Sequence, residues 1–392
     1  MQPVSINAFT ATCAAGAGRA PLLSALRDSR SGLRVNDFGR EPLATWIGRV
    51  ERIEAAALPA EFSTYECRNS RLAWHGLNQD GFRESVTAAR ERYGAGRVAV
   101  VLGTSTASIG ATEEAYERLT PAGEFPQDLR RPVVHTPHST TEFLQRVLGL
   151  ENVAVTVATA CSSSAKVFAQ GARLLELGVC DAVLVGGVDS LCGSVLFGFN
   201  SLELVSREPC RPFDAERAGI NIGEAAAFAL LERTGAGPRL TGAGESSDAH
   251  HMSTPHPSGR GARLAMTDAL ASGGVDACDV DYINLHGTAT PKNDEIEAQA
   301  IAELFPASTH ASSTKGWTGH TLGAAGALEA VFTLLSLESG LMPGNLNTRR
   351  LDAACGPQIR LNNAAGAVRH AMSNSFGFGG SNCVLLFSAA NS

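Results

Sequence analysis

The sequence predicts an α/β layered fold, and three observations carry that reading. Apolar runs rich in valine alternate with longer alanine-rich segments, the pattern of buried strands followed by helices. Glycine, at 41 residues, and alanine are both abundant. The 392 residues, 44% of them hydrophobic, supply apolar surface for two ordinary domains or one large, internally duplicated one. In chain order the strand signals fall at 97–102, 152–158, 182–186, 226–231, 282–285 and 382–387. Helix signals fall at 112–119, 141–148, 163–177, 261–271, 293–304 and 322–339. Between 233 and 238 two glycines and a proline interrupt the pattern, dividing an N-terminal half, 1–235, from a C-terminal half, 236–392. The halves echo one another. An alanine-rich helix opens after Cys161 and closes in Leu-Leu-x-Leu before Gly178, and 321–340 repeats the scheme. The first ninety or so residues and the last five carry no legible chemistry.

Composition excludes several classes of function. The net charge is −7, and the 32 basic residues are scattered singly, with no arginine-rich run to track a phosphate backbone, so nucleic acid is not an expected partner. Only Lys166, Lys292 and Lys315 are lysines. Nine cysteines at irregular spacings form no CxxC pair, which suggests neither zinc nor disulfides and fits a reducing cytosol. Cys13, Cys67, Cys180, Cys192, Cys278 and Cys355 are expected to be small buried hydrophobes. The opening residues lack a charged start followed by a long apolar stretch, and no run approaches the ~20 apolar residues that span a bilayer. A cytoplasmic protein without a membrane segment is expected.

Four segments carry chemistry. The first is Asn152-Val-Ala-Val-Thr-Val-Ala-Thr-Ala-Cys161-Ser-Ser-Ser-Ala, a strand passing through a small-residue turn into a helix. It places Cys161 at a helix N-terminus, where free amides and the positive dipole end favour the nucleophilic thiolate and lower its pKa. The second, Asp281-Tyr-Ile-Asn-Leu-His286-Gly-Thr-Ala-Thr290, is a short strand delivering a histidine to a turn, where reactive groups usually sit. The third, Ser312-Ser-Thr-Lys315-Gly-Trp-Thr-Gly-His320, brings a histidine to the start of a helix, whose positive end should keep it a neutral donor. The fourth, Ser373-Asn-Ser-Phe-Gly-Phe378-Gly-Gly-Ser-Asn382, reads as a glycine-dense loop letting backbone N–H groups approach a ligand. Taken singly, each histidine is as readily structural as catalytic.

Together these segments, with Cys210-Arg-Pro-Phe-Asp-Ala-Glu-Arg-Ala-Gly219 and Ser247-Asp-Ala-His-His-Met-Ser-Thr-Pro255, resemble the β-ketoacyl-acyl carrier protein synthases of the Cys-His-His branch, from about Arg97 to Phe387. The resemblance implies a thiolase-like layered αβαβα fold of two similar halves with the active site between them. It implies decarboxylative condensation of an acyl thioester, held on Cys161, with a malonyl thioester, in fatty acid, polyene or polyketide synthesis. The implied partners are an acyl carrier protein and a second subunit, as homodimer or as heterodimer with a chain-length partner. No cofactor and no metal is implied for the reaction. The oxyanion is expected on the backbone N–H groups of Cys161 and Phe378, and the enolate on neutral His286 and His320. By resemblance Lys315 tunes the histidines without touching substrate, and Glu329 and Phe376 support the site. Thr288 and Thr290 hold the phosphopantetheine arm, Phe378 forms an aromatic gate between the cysteine and the malonyl pocket, Gly379 binds substrate, and Ser253 lines the tunnel. Some relatives hold a cation beside the glutamate, which here would involve Asn284, Glu329, Ser373 and Asn374. The same context argues against a metal on His250, His251 and His256.

The chain departs from the housekeeping pattern at Ala158, where an aspartate is common, and in its opening Pro3-Val-Ser-Ile-Asn-Ala-Phe-Thr-Ala-Thr, which lacks a glycine-rich first strand. Both departures fit a specialised polyene or polyketide synthase at least as well as the general fatty acid enzyme. A non-catalytic chain-length partner would characteristically lose the nucleophile, which is present. A thiolase would want a second catalytic cysteine, for which Cys383 is the one candidate, although it falls in an expected core strand. A cysteine hydrolase would leave Lys315 and the second histidine unexplained.

Overall fold

The computed structural model describes residues 1–390; Asn391 and Ser392, the last two of the expected C-terminal half, lie outside the described residues. Ten strands set the architecture: β1 (Val4–Cys13), β2 (Val98–Gly103), β3 (Ala154–Val157), β4 (Ala182–Asp189), β5 (Ala225–Glu232), β6 (Arg239–Ser247), β7 (Tyr282–Asn284), β8 (His310–Ser312), β9 (His370–Gly377) and β10 (Ser381–Ser388). Their spatial order is β8-β7-β9-β10-β6-β1-β5-β4-β2-β3. Read outward from the β6/β1 junction, both sides repeat one scheme. The first strand of each half pairs antiparallel with the last, the last antiparallel with the fourth, and the second lies parallel between the fourth and the third. This is the expected pair of similar halves, joined through residues 233–238.

Alternation along β2 shows why its sequence is apolar throughout. Val98, Val100 and Leu102 pack into an outer core with the helices Arg68–Leu77, Phe82–Tyr93 and Ser139–Val147, whereas Ala99 and Val101 face a central core. A strand buried on both faces has no polar side to display. The central core holds two helices, α1 (Ser163–Glu176) and α2 (Ala325–Ser339), which are the two echoing segments of the sequence. A third core lies under the helices Arg260–Gly273 and Pro291–Leu304 of the C-terminal half. Helix, sheet, helix, sheet, helix is the layered αβαβα arrangement expected. The segment Leu322–Ser339 is long and apolar enough to cross a membrane, yet 89% of it is buried within the protein, as befits a central-layer helix.

Each of the six strand and six helix signals found an element, with ends displaced by a few residues. Four strands were not legible, the three-residue β8 among them. β1 lies in the middle of the sheet, in the opening that carried no signal. β6 alternates small residues, and its Gly242 and Gly244 meet the backbone of the helix Arg260–Gly273 too closely to allow any Cβ. The glycine-dense loop expected at 373–382 is instead strand β9, a tight turn at Phe378–Gly380, and strand β10. Serine and asparagine mask β9 as a loop, although Ala371 to Ser375 are all buried.

Candidate active site

Cys161 follows β3 on a turn in which Ala160 is forced to φ 53°, outside the usual range for an L-residue. The serines that follow explain how the turn holds. Ser162 Oγ donates to the Thr159 carbonyl at 2.9 Å, and Ser163 Oγ donates to the Ala160 carbonyl at 2.6 Å while accepting from the Thr159 N–H at 2.8 Å. The Phe378 turn approaches from β9. A Cβ on Gly377 would lie 2.9 Å from both the Thr159 and Ser381 carbonyl oxygens, so only glycine lets it come so close. That approach brings the Phe378 N–H to the Cys161 sulfur.

The two echoing helices bring the halves together. Gly326, near the start of α2, packs on the Ala165 backbone near the start of α1, and the Ala327 N–H donates to Ser164 Oγ at 2.8 Å. The segments leading into the two helices therefore bring Cys161 and His320 to one point. His320 Nε2 lies 3.0 Å from Cys161 Sγ. The His286 ring stands edge-on to that of His320, with centroids 5.5 Å apart, and Phe376 packs against His286 at 5.9 Å. Cys161, His286 and His320 are all 5% exposed or less.

Lys315 is fully buried behind the histidines. Its Nζ donates to the His286 carbonyl at 2.5 Å, meets His286 Nδ1 at 3.5 Å and pairs with Glu329. An ammonium only donates, so Nδ1 must accept and the neutral His286 ring carries its proton on Nε2. His320 Nδ1 is buried without a hydrogen-bond partner among the described residues. A bare acceptor costs less than a bare donor, which places the His320 proton on Nε2 too. Burial, and then the Lys315 charge, hold both imidazoles far below their usual pKa. His320 is thus neutral as expected, but the causes are burial and Lys315 in place of the helix end.

The expected depressed pKa of Cys161 is not found. Burial pushes the thiol up to about 11, against the opposing pulls of Lys315 and the Phe378 N–H. Desolvation of a charge outweighs a helix terminus when the sulfur is removed from water. Two other cysteine expectations also fail: Cys278, on a surface turn at Ala277–Asp279, is exposed, and Cys355 is half-buried. Cys383 lies fully buried in β10 within the central core.

The triad opens into a cavity of about 350 Å³. Thr288, Thr290, Ser253, Phe378 and Gly379 line it, with Phe376 at its base beside His286. The two threonine hydroxyls are hydrogen-bonded to each other at 2.9 Å. Phe378 packs against Phe199 at 5.6 Å, and Gly379, at φ 79°, ties its N–H to the Met252 carbonyl at 2.7 Å. His250 and His256 stack edge-on with ring centroids 5.0 Å apart.

Of the four residues expected around a cation, Ser373 and Asn374 are consecutive on β9, so their side chains face opposite ways. The Asn374 amide donates to Glu297 at 3.1 Å and gives no side-chain ligand on the Ser373 face. Glu329 Oε2 and Ser373 Oγ are buried without hydrogen-bond partners among the described residues, and Glu329 is already paired with the Lys315 ammonium.

Three carboxylates that shape the site were missed in the sequence. Glu297 accepts the His286 and Gly287 N–H groups at 2.9 and 2.7 Å, which fixes the loop carrying the histidine. Burial raises it to about 7 against the pull of those donors. Asp294, one helical turn earlier on the same face, holds the Phe213 and Ala289 N–H groups. Asp189 gathers Thr104, Ser105, Thr106 and the Ala324 N–H just ahead of α2. The signal for the first two was the i, i+3 acidic spacing in the helix after His286; Asp189, at the end of a strand, gave none.

Residues 63–236 match the β-ketoacyl synthase N-terminal domain and residues 239–349 the β-ketoacyl synthase C-terminal domain. The match begins ahead of Arg97, the point from which the motifs resemble the family. Nodulation protein E of Rhizobium meliloti (strain 1021) is 34% identical over 304 residues, 74% of this chain and 75% of that protein. The mitochondrial 3-oxoacyl-[acyl-carrier-protein] synthase of Arabidopsis thaliana is 40% identical over 256 residues, 59% of this chain, and the aligned region spans 55% of that protein. Among solved structures, that of a ketosynthase (ApeO) in complex with its chain length factor (ApeC) from Xenorhabdus doucetiae superimposes with a TM-score of 0.91 at 36% identity, covering 99% of this chain and 98% of that chain.

Proposed function

Because this chain belongs to the β-ketoacyl synthase family of condensing enzymes, we propose that it joins an acyl thioester to malonyl-acyl carrier protein by decarboxylative Claisen condensation, giving a 3-oxoacyl-acyl carrier protein. The observation that carries the reading is the buried meeting of Cys161 Sγ and His320 Nε2 at 3.0 Å, with His286 beside them at the end of a cavity. In the first half-reaction the Cys161 sulfur loses its proton and attacks the acyl carbonyl, and the carrier thiol leaves with a proton. The Lys315 charge and the Phe378 N–H are the groups that favour that ionisation. The tetrahedral oxyanion is received by the backbone N–H groups of Cys161 and Phe378.

In the second half-reaction the malonyl carboxylate leaves as carbon dioxide and its bonding pair forms an enolate. Two neutral imidazoles, each with its proton on Nε2, are the donors such an oxygen needs. The enolate carbon attacks the acyl-Cys161 carbonyl, and collapse of the adduct returns the thiolate. Thr288, Thr290 and Phe378 line the same cavity as Cys161, which supports the proposed roles of the threonines on a phosphopantetheine arm and of Phe378 as a gate.

The proposed carrier is an acyl carrier protein, the proposed assembly a dimer with a like subunit or a chain-length partner, and the proposed compartment the cytoplasm. A role in polyene or polyketide assembly is supported by the departure at Ala158 and by the likeness to a ketosynthase–chain length factor pair. The retained triad favours catalysis over a chain-length role. Intact-protein mass spectrometry with acyl-carrier thioester and then malonyl-carrier protein tests the reading. Wild type, but not Cys161→Ala, gains the acyl mass and then releases a product two carbons longer; if neither protein is labelled by any acyl donor, the catalytic reading falls.

A further inference from the structure

We infer that Cys161, His286 and His320 also form a latent site for a zinc-like metal ion, and that Lys315 is the residue that keeps it closed. The inference rests on the geometry of the cluster and not on the reaction proposed above. Sγ of Cys161 and one nitrogen from each ring lie within 4.8 Å of one another, and no other histidine, cysteine and carboxylate group among the described residues comes together in this way. A thiolate and two imidazoles are a zinc donor set, and bonds of about 2.0–2.3 Å place such donors roughly 3–4 Å apart, so the side chains would need only small adjustments. All three line the cavity, which supplies both a path from solvent and room for a fourth ligand. A cysteine nucleophile with two neutral imidazoles beside it is thus exposed to capture by any soft or borderline cation that enters.

Lys315 opposes that capture in two ways. Its Nζ, 3.5 Å from His286 Nδ1, requires Nδ1 to accept, which leaves the ring proton on Nε2. A metal binding at Nε2 would drive that proton to Nδ1, setting N–H against ammonium, donor against donor. The ion would also add its own charge beside a buried cation. Lys315 cannot swing aside, because it is 1% exposed and anchored to the His286 carbonyl and Glu329. When the ion does bind, the Cys161 thiol proton is released to solvent and the Nε2 protons of His286 and His320 each move to Nδ1 within their own rings; nothing is oxidised.

Cobalt(II) is the probe, since thiolate ligation gives it a charge-transfer absorption. Lys315→Met combined with Glu329→Gln removes the cation without stranding its carboxylate. This variant should bind cobalt at least tenfold more tightly than wild type, with a thiolate-to-cobalt band that Cys161→Ala abolishes in the same background. Lys315→Gln, which keeps a donor for Glu329, serves as a second variant and is read in the same way, with melting curves confirming that each is folded. Equal cobalt affinity and an equal band in wild type would overturn the guarding role. No band in either folded variant would overturn the metal site. Both readouts are of binding, so neither depends on whether the condensation itself is observed.

Discussion

Gly326→Ala tests how the two halves are held in register. A Cβ at this position would lie 2.5 Å from the Ala165 nitrogen, 2.8 Å from its Cβ and 3.0 Å from its Cα. These are mostly backbone atoms of α1, so the clash cannot be relieved by a rotamer change, and ordinary contact at about 3.4 Å requires the helices to part by roughly 1 Å. Overpacking of this kind costs about 1–3 kcal/mol. Exchanging glycine for alanine in a helix returns up to about 1 kcal/mol. The net loss of stability is therefore small, on the order of 1–2 kcal/mol, or a few degrees in Tm. The functional effect is much larger. Cys161 lies two residues before α1 and His320 five before α2, so a displacement of that size stretches the 3.0 Å sulfur–nitrogen contact to about 4 Å, the edge of hydrogen-bonding range for sulfur. A misplacement of about 1 Å costs roughly 10²-fold in rate. Acylation and condensation rates, measured beside a thermal melt, should show a nearly native Tm with turnover lowered by two orders of magnitude. Full turnover with an unchanged melt would refute the claim that this helix contact sets the geometry of the site.

Four further outcomes are expected. Alkylation of Cys161 by iodoacetamide should accelerate about tenfold per pH unit from pH 7 to 10, because its thiol is pushed up to about 11; a plateau near neutrality would contradict that. His320→Ala should abolish malonyl decarboxylation while some acylation of Cys161 persists, and carbon dioxide release at the original rate would remove His320 as a donor. Glu297 is raised from about 4.3 to about 7, so its contribution favours folding at low pH and is lost as pH rises through 7. Urea denaturation should therefore show Glu297→Gln gaining on wild type between pH 5 and 8, by at most about 3 kcal/mol, and a gain in the opposite direction would refute the shift. Arg68→Ala should cost about 3 kcal/mol by the same measurement, since it strips a bidentate partner at 2.5 and 2.8 Å from the fully buried Glu224; a loss below 1 kcal/mol would mean that the Val50 and Leu191 N–H groups suffice.

Local physics made part of this protein legible. Strands buried on both faces read as valine runs, and central helices read as alanine-rich segments, because burial on all sides leaves no polar face to confuse the period. Cys161, His286 and His320 stood out because each ends a short apolar strand or glycine turn, and their four motifs together identified the family. β1 and β9 stayed hidden because serine, threonine and asparagine are spaced through them, and their burial depends on partners far away in the chain.

What only the tertiary structure decided was charge and proximity. A helix terminus argued for a depressed thiol, but removal from water, which no local window reveals, raised it instead. Lys315 and Glu329 are separated by a turn and part of a helix, and only folding makes them a buried pair that fixes which nitrogen of His286 carries the proton. Glu297 acquires its role in the same way, by closing on the backbone of a loop eleven residues earlier. The sequence determined which groups were available and which elements would carry them. Their protonation and mutual distances followed from desolvation and from the packing of α1 on α2, which are properties of the whole fold.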